Sequence, residues 1–124
     1  MLVLAGQGAA EGRWLRAERQ TGGRGRMGRA WDSPHGNLHC STLVRLRPGD
    51  PPAHTLALVV AVAVHAVVAP LCQGQARIKW PNDILVDGAK IAGMLLEREG
   101  DAVVIGIGII AGWLAGLLVQ GTGF

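Results

Sequence analysis

Apolar and polar positions change their rhythm several times along the chain. Leu2 to Ala10 is mostly apolar, with Gly6, Gly8 and Gly12 spaced to close the end of a short helix. Arg13 to Arg19 has mixed character and predicts a strand. Leu38 to Leu46 alternates in part and predicts another, cut off by Pro48-Gly-Asp-Pro-Pro52. Thr55 to Ala69 is nearly pure Ala, Val and Leu, with His65 its only ionisable group. At fifteen residues it is short for a bilayer, so it predicts a buried helix packed on a sheet and stopped by Pro70. His65 then reads as a satisfied core histidine. Ala76 to Trp80, Ile84 to Val86 and Lys90 to Glu97 predict three short strands, the last two joined through Asp87-Gly88, a pair that tolerates positive φ. Glu99-Gly-Asp101 turns the chain into a final strand, Ala102 to Gly108. Short turns between strands imply a mostly antiparallel sheet, and one long apolar helix implies cover on one face: an α+β fold.

Composition changes this picture little. With 124 residues, 49% apolar and 17% charged, the chain can bury one core and is not of disordered composition. Cys40 and Cys72 have no metal-ligand spacing, and Met1-Leu-Val-Leu is too short for a signal-peptide apolar region. Reduced buried thiols in a cytoplasmic protein are expected.

Charge distribution says more than the net +3. Arg13, Arg16, Arg19, Arg24, Arg26 and Arg29 are half of the 12 cations, with Glu18 the one acid among them. Gln20 to Arg29 (Gln-Thr-Gly-Gly-Arg-Gly-Arg-Met-Gly-Arg) joins backbone freedom to fixed guanidinium forks, which suits an anion cradle as well as a solvated basic loop. Gly23-x-Gly25-x-x-Gly28 spells a dinucleotide fingerprint. The adjoining run, Ala30-Trp-Asp-Ser-Pro34, cannot open the helix that fingerprint needs. A nucleic-acid surface would need stacking aromatics, and one Phe, no Tyr and Trp14 with Trp31 make a thin platform. Lys79-Trp-Pro-Asn-Asp83 fixes a lysine at a strand end, with an amide and a carboxylate next in a turn. Lys90-x-x-Gly93 places a lysine ahead of a glycine that another backbone can approach.

Taken together, Gln20-x-x-Gly23-Arg-Gly-Arg26-x-Gly-Arg29-x-Trp31, then Asn37-Leu38, then Lys79-Trp-Pro-Asn-Asp83, then Lys90-x-x-Gly93 resembles the catalytic domain of biotin–protein ligases over roughly residues 8–108. The resemblance implies an α+β domain like those of class II aminoacyl-tRNA synthetases, a mostly antiparallel sheet with helices on one face. It implies ATP-dependent formation of biotinyl-5′-AMP, with Mg2+ as the companion ion, and transfer of biotin to a lysine of a biotin carboxyl carrier protein. Lys79 and Arg26 are then the catalytic candidates. Gln20, Arg24, Gly25, Arg26 and Lys79 match biotin-binding positions. Arg29, Trp31, Asn82 and Lys90 match positions around ATP and the adenylate. No protein metal site, nucleic-acid partner or membrane partner is implied, and exposed sheet edges favour self-association.

Two departures accompany the resemblance. The family's Ser/Thr-Thr-Asn segment has no counterpart, with nothing before Glu11 matching. Its Gly-x-Gly-x-Asn strand end is here Gly106-Ile-Gly108-Ile-Ile110. The expectation is a partial catalytic domain over 1–108 and a tail, 109–124, unlike the family. The charge-free run Ala102–Phe124 spaces Gly108, Gly112 and Gly116 by four, as in close-packed membrane helices. The part beyond the strand is short for a span, so a buried or irregular extension is expected. An inactive ligase fragment, or a lipoate–protein ligase or lipoyl transferase relative, stands as the alternative.

Overall fold

The structure is a computed structural model that describes residues 1–17 and 37–110. The element order is α1 (Leu2–Gly6), β1 (Trp14–Ala17), β2 (Leu38–Arg45), α2 (Thr55–Val68), a 3-10 turn (Ala69–Cys72), β3 (Ala76–Lys79), β4 (Asp83–Val86), β5 (Ala89–Glu99) and β6 (Ala102–Ile109). The six strands form one sheet in the order β1-β2-β6-β5-β4-β3, antiparallel at every pairing. This is the α+β architecture expected. The β4–β5 turn has Asp87 at φ +50° and Gly88 at φ +76°, the double positive φ that a two-residue hairpin favours.

The main core lies between α2 and the sheet. Val60, Ala61, Val64 and Val68 of α2 meet Ile84, Val86, Ile91, Ala92, Met94, Val103, Ile105 and Ile109. His65 fits here as a satisfied residue, its Nε2 donating to the Ala76 carbonyl at 3.0 Å. The expectation of a buried helix holds for one stripe of α2 only. Leu58, Val59, Val62 and Val67 are each more than half exposed. The reason is geometric: an outer-layer helix gives the sheet one face, and this sequence places no polar residues on the other. Thr55–Cys72 is long and apolar enough to cross a membrane by length and composition, with mean hydropathy 2.4, yet its inner stripe is part of the sheet's core. Pro70 does not end the structure abruptly. It is absorbed into the 3-10 turn, which closes at Gln73 (φ +51°) and Gly74 (φ +75°). Cys72 is buried, Cys40 is half-buried and both are free thiols; burial pushes both above the ordinary thiol range.

α1 packs against the other face of the sheet. Ala5, with Met1, Leu2 and Ala9 beside it, joins Leu43, Ala102 and Val104 in a second, smaller cluster. Along β6, Val103 and Ile105 serve the first cluster while Ala102 and Val104 serve the second, the alternation a strand imposes. Cover on one face, as expected, therefore describes α2, and the short α1 adds a cap to part of the opposite face. Arg45 fastens that cap: Nη2 donates to Ala5 O (3.0 Å) and Ala9 O (2.6 Å), Nε to Ala9 O (3.2 Å), and Nη1 meets Asp101 at 2.8 Å. Glu11 adds a second tie, accepting from the Arg45 backbone and from Arg47, each at 2.8 Å.

Candidate ligand site on the sheet face away from α2

Direct cross-strand partners project to the same face of a sheet. Following the register gives one continuous row across all six strands: Ala17, His39, Gly108, Gly93, Asp83, Lys79. The row lies on the face away from α2, because its neighbours in each strand, such as Ile84, Ala92 and Ile109, belong to the α2 core. At about 4.8 Å between strands, Lys79 and His39 are separated by roughly 19 Å of sheet. The middle of that span is glycine. Gly93 and Gly108 sit side by side, and Gly106, opposite Leu95 and Ser41, extends the side-chain-free floor one row over. No helix of the described residues is assigned to this part of the face, since the α1 cluster lies at Leu43, Ala102 and Val104. A floor of glycines lets a flat ligand lie against the backbone.

Each end of the row is chemically distinct. At one end β1 stops at Ala17 and β2 begins at Leu38, with Ala17 paired to His39. Gln20, Arg24, Gly25, Arg26, Arg29 and Trp31 lie outside the described residues. At the other end Lys79 closes β3, exposed, opposite Asp83 across the turn Trp80-Pro81-Asn82, in which the Trp80–Pro81 bond is cis. Asn82 is clamped to β5: its Nδ2 donates to Met94 O and its carbonyl accepts from Met94 N, both at 2.9 Å. The clamp sets Asp83 beside Gly93.

Lys90 reaches the same corner through a bulge. Register slips between Ile84 and Leu85, so Lys90 pairs with Leu85 while Ala92 pairs with Ile84. Two consecutive residues, Ile91 and Ala92, then both face the core, and Lys90 is moved to the face that carries Asp83. Its Nζ lies 3.0 Å from Asp83 Oδ1, which is shut off from solvent; the approach is an ion-pair contact rather than an aligned hydrogen bond. The structure thus brings Lys79, Asn82 and Lys90 together. Sequence reasoning assigned site roles to these three, noted the Asp83 carboxylate without giving it one, and did not reach His39. The three-residue turn makes Asp83 the cross-strand partner of Lys79. His39 joins only through the β2–β6 register, which no local pattern announces. Among the described residues no group of three or more His, Cys, Asp or Glu side chains could hold a metal ion.

These features give a sheet-floored candidate site with a cationic corner at one end, on an α+β domain. Residues 7–113 match the sequence profile of the biotin/lipoate A/B protein ligase family, a match that begins four residues before Glu11 and runs beyond the end of β6 at Ile109. The chain belongs to that family. It is 42% identical over 103 residues to a biotin–[acetyl-CoA-carboxylase] ligase of Paracoccus denitrificans, covering 77% of this chain and 43% of that protein. It is 44% identical over 113 residues to the bifunctional ligase/repressor BirA of Bacillus subtilis, covering 86% of this chain and 34% of that protein. Among solved structures it is similar to the biotin protein ligase of Aquifex aeolicus in complex with biotin and ATP, with a TM-score of 0.76 and 35% identity over 86% of this chain and 46% of that one. The biotin protein ligase of Leishmania major in complex with biotinyl-5-AMP is similar over 84% of this chain and 55% of that one, with a TM-score of 0.69 and 29% identity. The chain therefore spans between about a third and about half of the length of these relatives. The proposed domain boundary at 108/109 falls one residue inside β6, and residues 111–124 lie outside the described residues.

Proposed function

We propose that this chain is the catalytic core of a biotin–protein ligase. The observation that carries the reading is the row itself: a glycine floor with Lys79 at one end and the anchors of the Gln20–Arg29 loop at the other. In the first step a biotin carboxylate oxygen attacks the α-phosphorus of ATP, forming a C–O–P anhydride and releasing pyrophosphate. Two anions must approach one another, so a fixed cation beside the floor lowers the cost of the encounter and of the charge that develops on the phosphate. Lys79 supplies it from the sheet. Arg24, Arg26 and Arg29, with Gln20, Gly25 and Trp31, lie on the loop that would close over biotin and the adenylate. Asn82 and Lys90 frame the corner where the adenylate would rest. Magnesium would arrive with the nucleotide phosphates, which with bound waters commonly supply most of its ligands. In the second step a lysine amine of a biotin carboxyl carrier protein attacks the biotinyl carbonyl, AMP leaves and the amine gives up a proton.

Biotin rather than lipoate is supported by the Lys79-Trp-Pro-Asn-Asp83 run and by the biotin ligases among the relatives. A second reading rests on Ile110. Its side chain cannot hydrogen-bond where the family strand ends in asparagine, and its backbone N–H is committed to Ile91 O at 2.9 Å. A chain lacking that contact would bind biotin yet turn over slowly. The open edge strands β1 and β3 would also let a second copy extend the sheet. Incubating the purified chain with labelled biotin, ATP and magnesium, with and without a carrier domain, separates these outcomes. Adenylate or labelled carrier supports the ligase, bound biotin without product supports the second reading, and no biotin binding refutes both.

A further inference from the structure

The row through Lys79, Asp83 and Gly93 divides this face in two. On one side, further along β5, the floor continues over Gly106 beside Leu95. On the other side the register gives a second row: Arg77, Leu85 and Lys90. Arg77 stands two residues before Lys79 on β3, so the two cations share a face. With strands about 4.8 Å apart, Arg77 and Lys90 flank Leu85 at backbones separated by roughly 10 Å, a gap that two long cationic side chains can close on a linked pair of phosphates.

Arg77 is exposed but already oriented. Its Nη1 donates to Gly74 O at 2.8 Å and to Ala76 O at 3.0 Å. The Ala76 carbonyl is itself held by His65 Nε2 at 3.0 Å. These bonds fix one corner of the guanidinium against the chain. The opposite edge, Nε and Nη2, is the fork that grips a phosphate through two parallel hydrogen bonds, and no acid of the described residues forms an ion pair with Arg77.

The placement matters because the displacement at phosphorus is in line. Biotin on the glycine floor meets Lys79 from the Gly106 side. Its carboxylate oxygen forms the new bond to the α-phosphorus. The bond from that phosphorus to the bridging oxygen breaks, and the electron pair leaves with pyrophosphate, roughly opposite the attacking oxygen. Opposite the floor lies the row of Arg77 and Lys90. We infer that Arg77, across Leu85 from Lys90, binds the β- and γ-phosphates of ATP and then the departing pyrophosphate. The reaction in this inference rests on the ligase reading, but an affinity for pyrophosphate does not.

Arg77→Gln and Arg77→Lys test this on the full chain, with circular dichroism melts to check folding. Calorimetric titration with magnesium pyrophosphate comes first, because it needs no turnover. Arg77→Gln should bind about tenfold more weakly than wild type, and Arg77→Lys should recover part of the loss by keeping the charge without the fork. Wild type binding pyrophosphate no more tightly than Arg77→Gln overturns the inference. Adenylate formation comes second. In Arg77→Gln the KM for ATP and the inhibition constant of added pyrophosphate should both rise about tenfold, with the KM for biotin changed less than about twofold. An equal loss in the transfer of biotin from synthetic biotinyl-5′-AMP to a carrier domain, a step without pyrophosphate, would mark a general structural effect and also overturn the inference. If pyrophosphate binding behaves as expected while wild type forms no adenylate, the subsite stands and the ligase reading fails.

Discussion

Replacing Arg45 with methionine should detach α1 from the sheet without disturbing the α2 core. Arg45 is the main polar tie between the N-terminal segment and β2, donating to the carbonyls of Ala5 and Ala9 at 2.6 to 3.2 Å. These acceptors lie at and just beyond the C-terminus of α1, where unsatisfied carbonyls and the helix dipole both favour a cation. Methionine keeps most of the apolar stem, so the loss is polar. Two charge-assisted hydrogen-bonding positions at about 1–2 kcal/mol each give about 2–4 kcal/mol. The ion pair to Asp101 adds under about 1 kcal/mol, because that carboxylate is 64% exposed and well screened. With a urea slope of about 1–2 kcal/mol/M, the unfolding midpoint should drop by roughly 1–4 M. Asp101→Asn is the control and should shift it by less than about 1 M, and by less than Arg45→Met on the same slope. The account of the cap is wrong if Arg45→Met behaves like the control, or if Asp101→Asn is as damaging as Arg45→Met.

The same geometry sets other outcomes. A Cβ at Gly106 would meet Leu95 O at 3.6 Å, an ordinary contact, so Gly106→Ala should keep the melting temperature while raising the floor and weakening biotin binding, about tenfold by calorimetric titration. Val59→Lys with Val62→Glu lies on the bare side of α2 and should change unfolding free energy by less than about 0.5 kcal/mol; a larger loss would mean that face is covered. Cys40 and Cys72 have raised folded-state values, so the unfolded chain loses these protons first as pH climbs. Stability should be constant below the unfolded thiol value near 9.0 and decline above it, and a Cys72→Ala/Cys40→Ser variant should lose that decline in urea titrations run against pH.

The sheet is legible in the sequence because its strands are short, apolar and bounded by turn residues of definite chemistry. Asp87-Gly88 and Glu99-Gly-Asp101 fix two hairpins by themselves, and β3 to β6 match their expected bounds within two residues. The site is legible only in part. Lys79, Asn82 and Lys90 can be chosen from local motifs, but the row that unites them with Gly93, Gly108 and His39 exists only through the β2–β6–β5 register. The bulge at Ile84/Leu85 is equally silent, since nothing in Lys90-Ile-Ala-Gly marks a change of face. The outer side of α2 misleads for the opposite reason. A run of Ala, Val and Leu signals burial all round, while packing on a single sheet layer can use only Val60, Ala61, Val64 and Val68.

The central claim is that the glycine-floored face ending at Lys79 forms biotinyl-adenylate. Its most direct test is the single-turnover rate of adenylate formation from α-labelled ATP and biotin, for wild type and Lys79→Ala, with urea midpoints measured on the same preparations. Lys79 is exposed at the end of β3, so the alanine variant should unfold within about 0.5 kcal/mol of wild type. Its adenylate rate should fall about a hundredfold or more. A folded Lys79→Ala chain that makes biotinyl-adenylate at the wild-type rate would contradict the account.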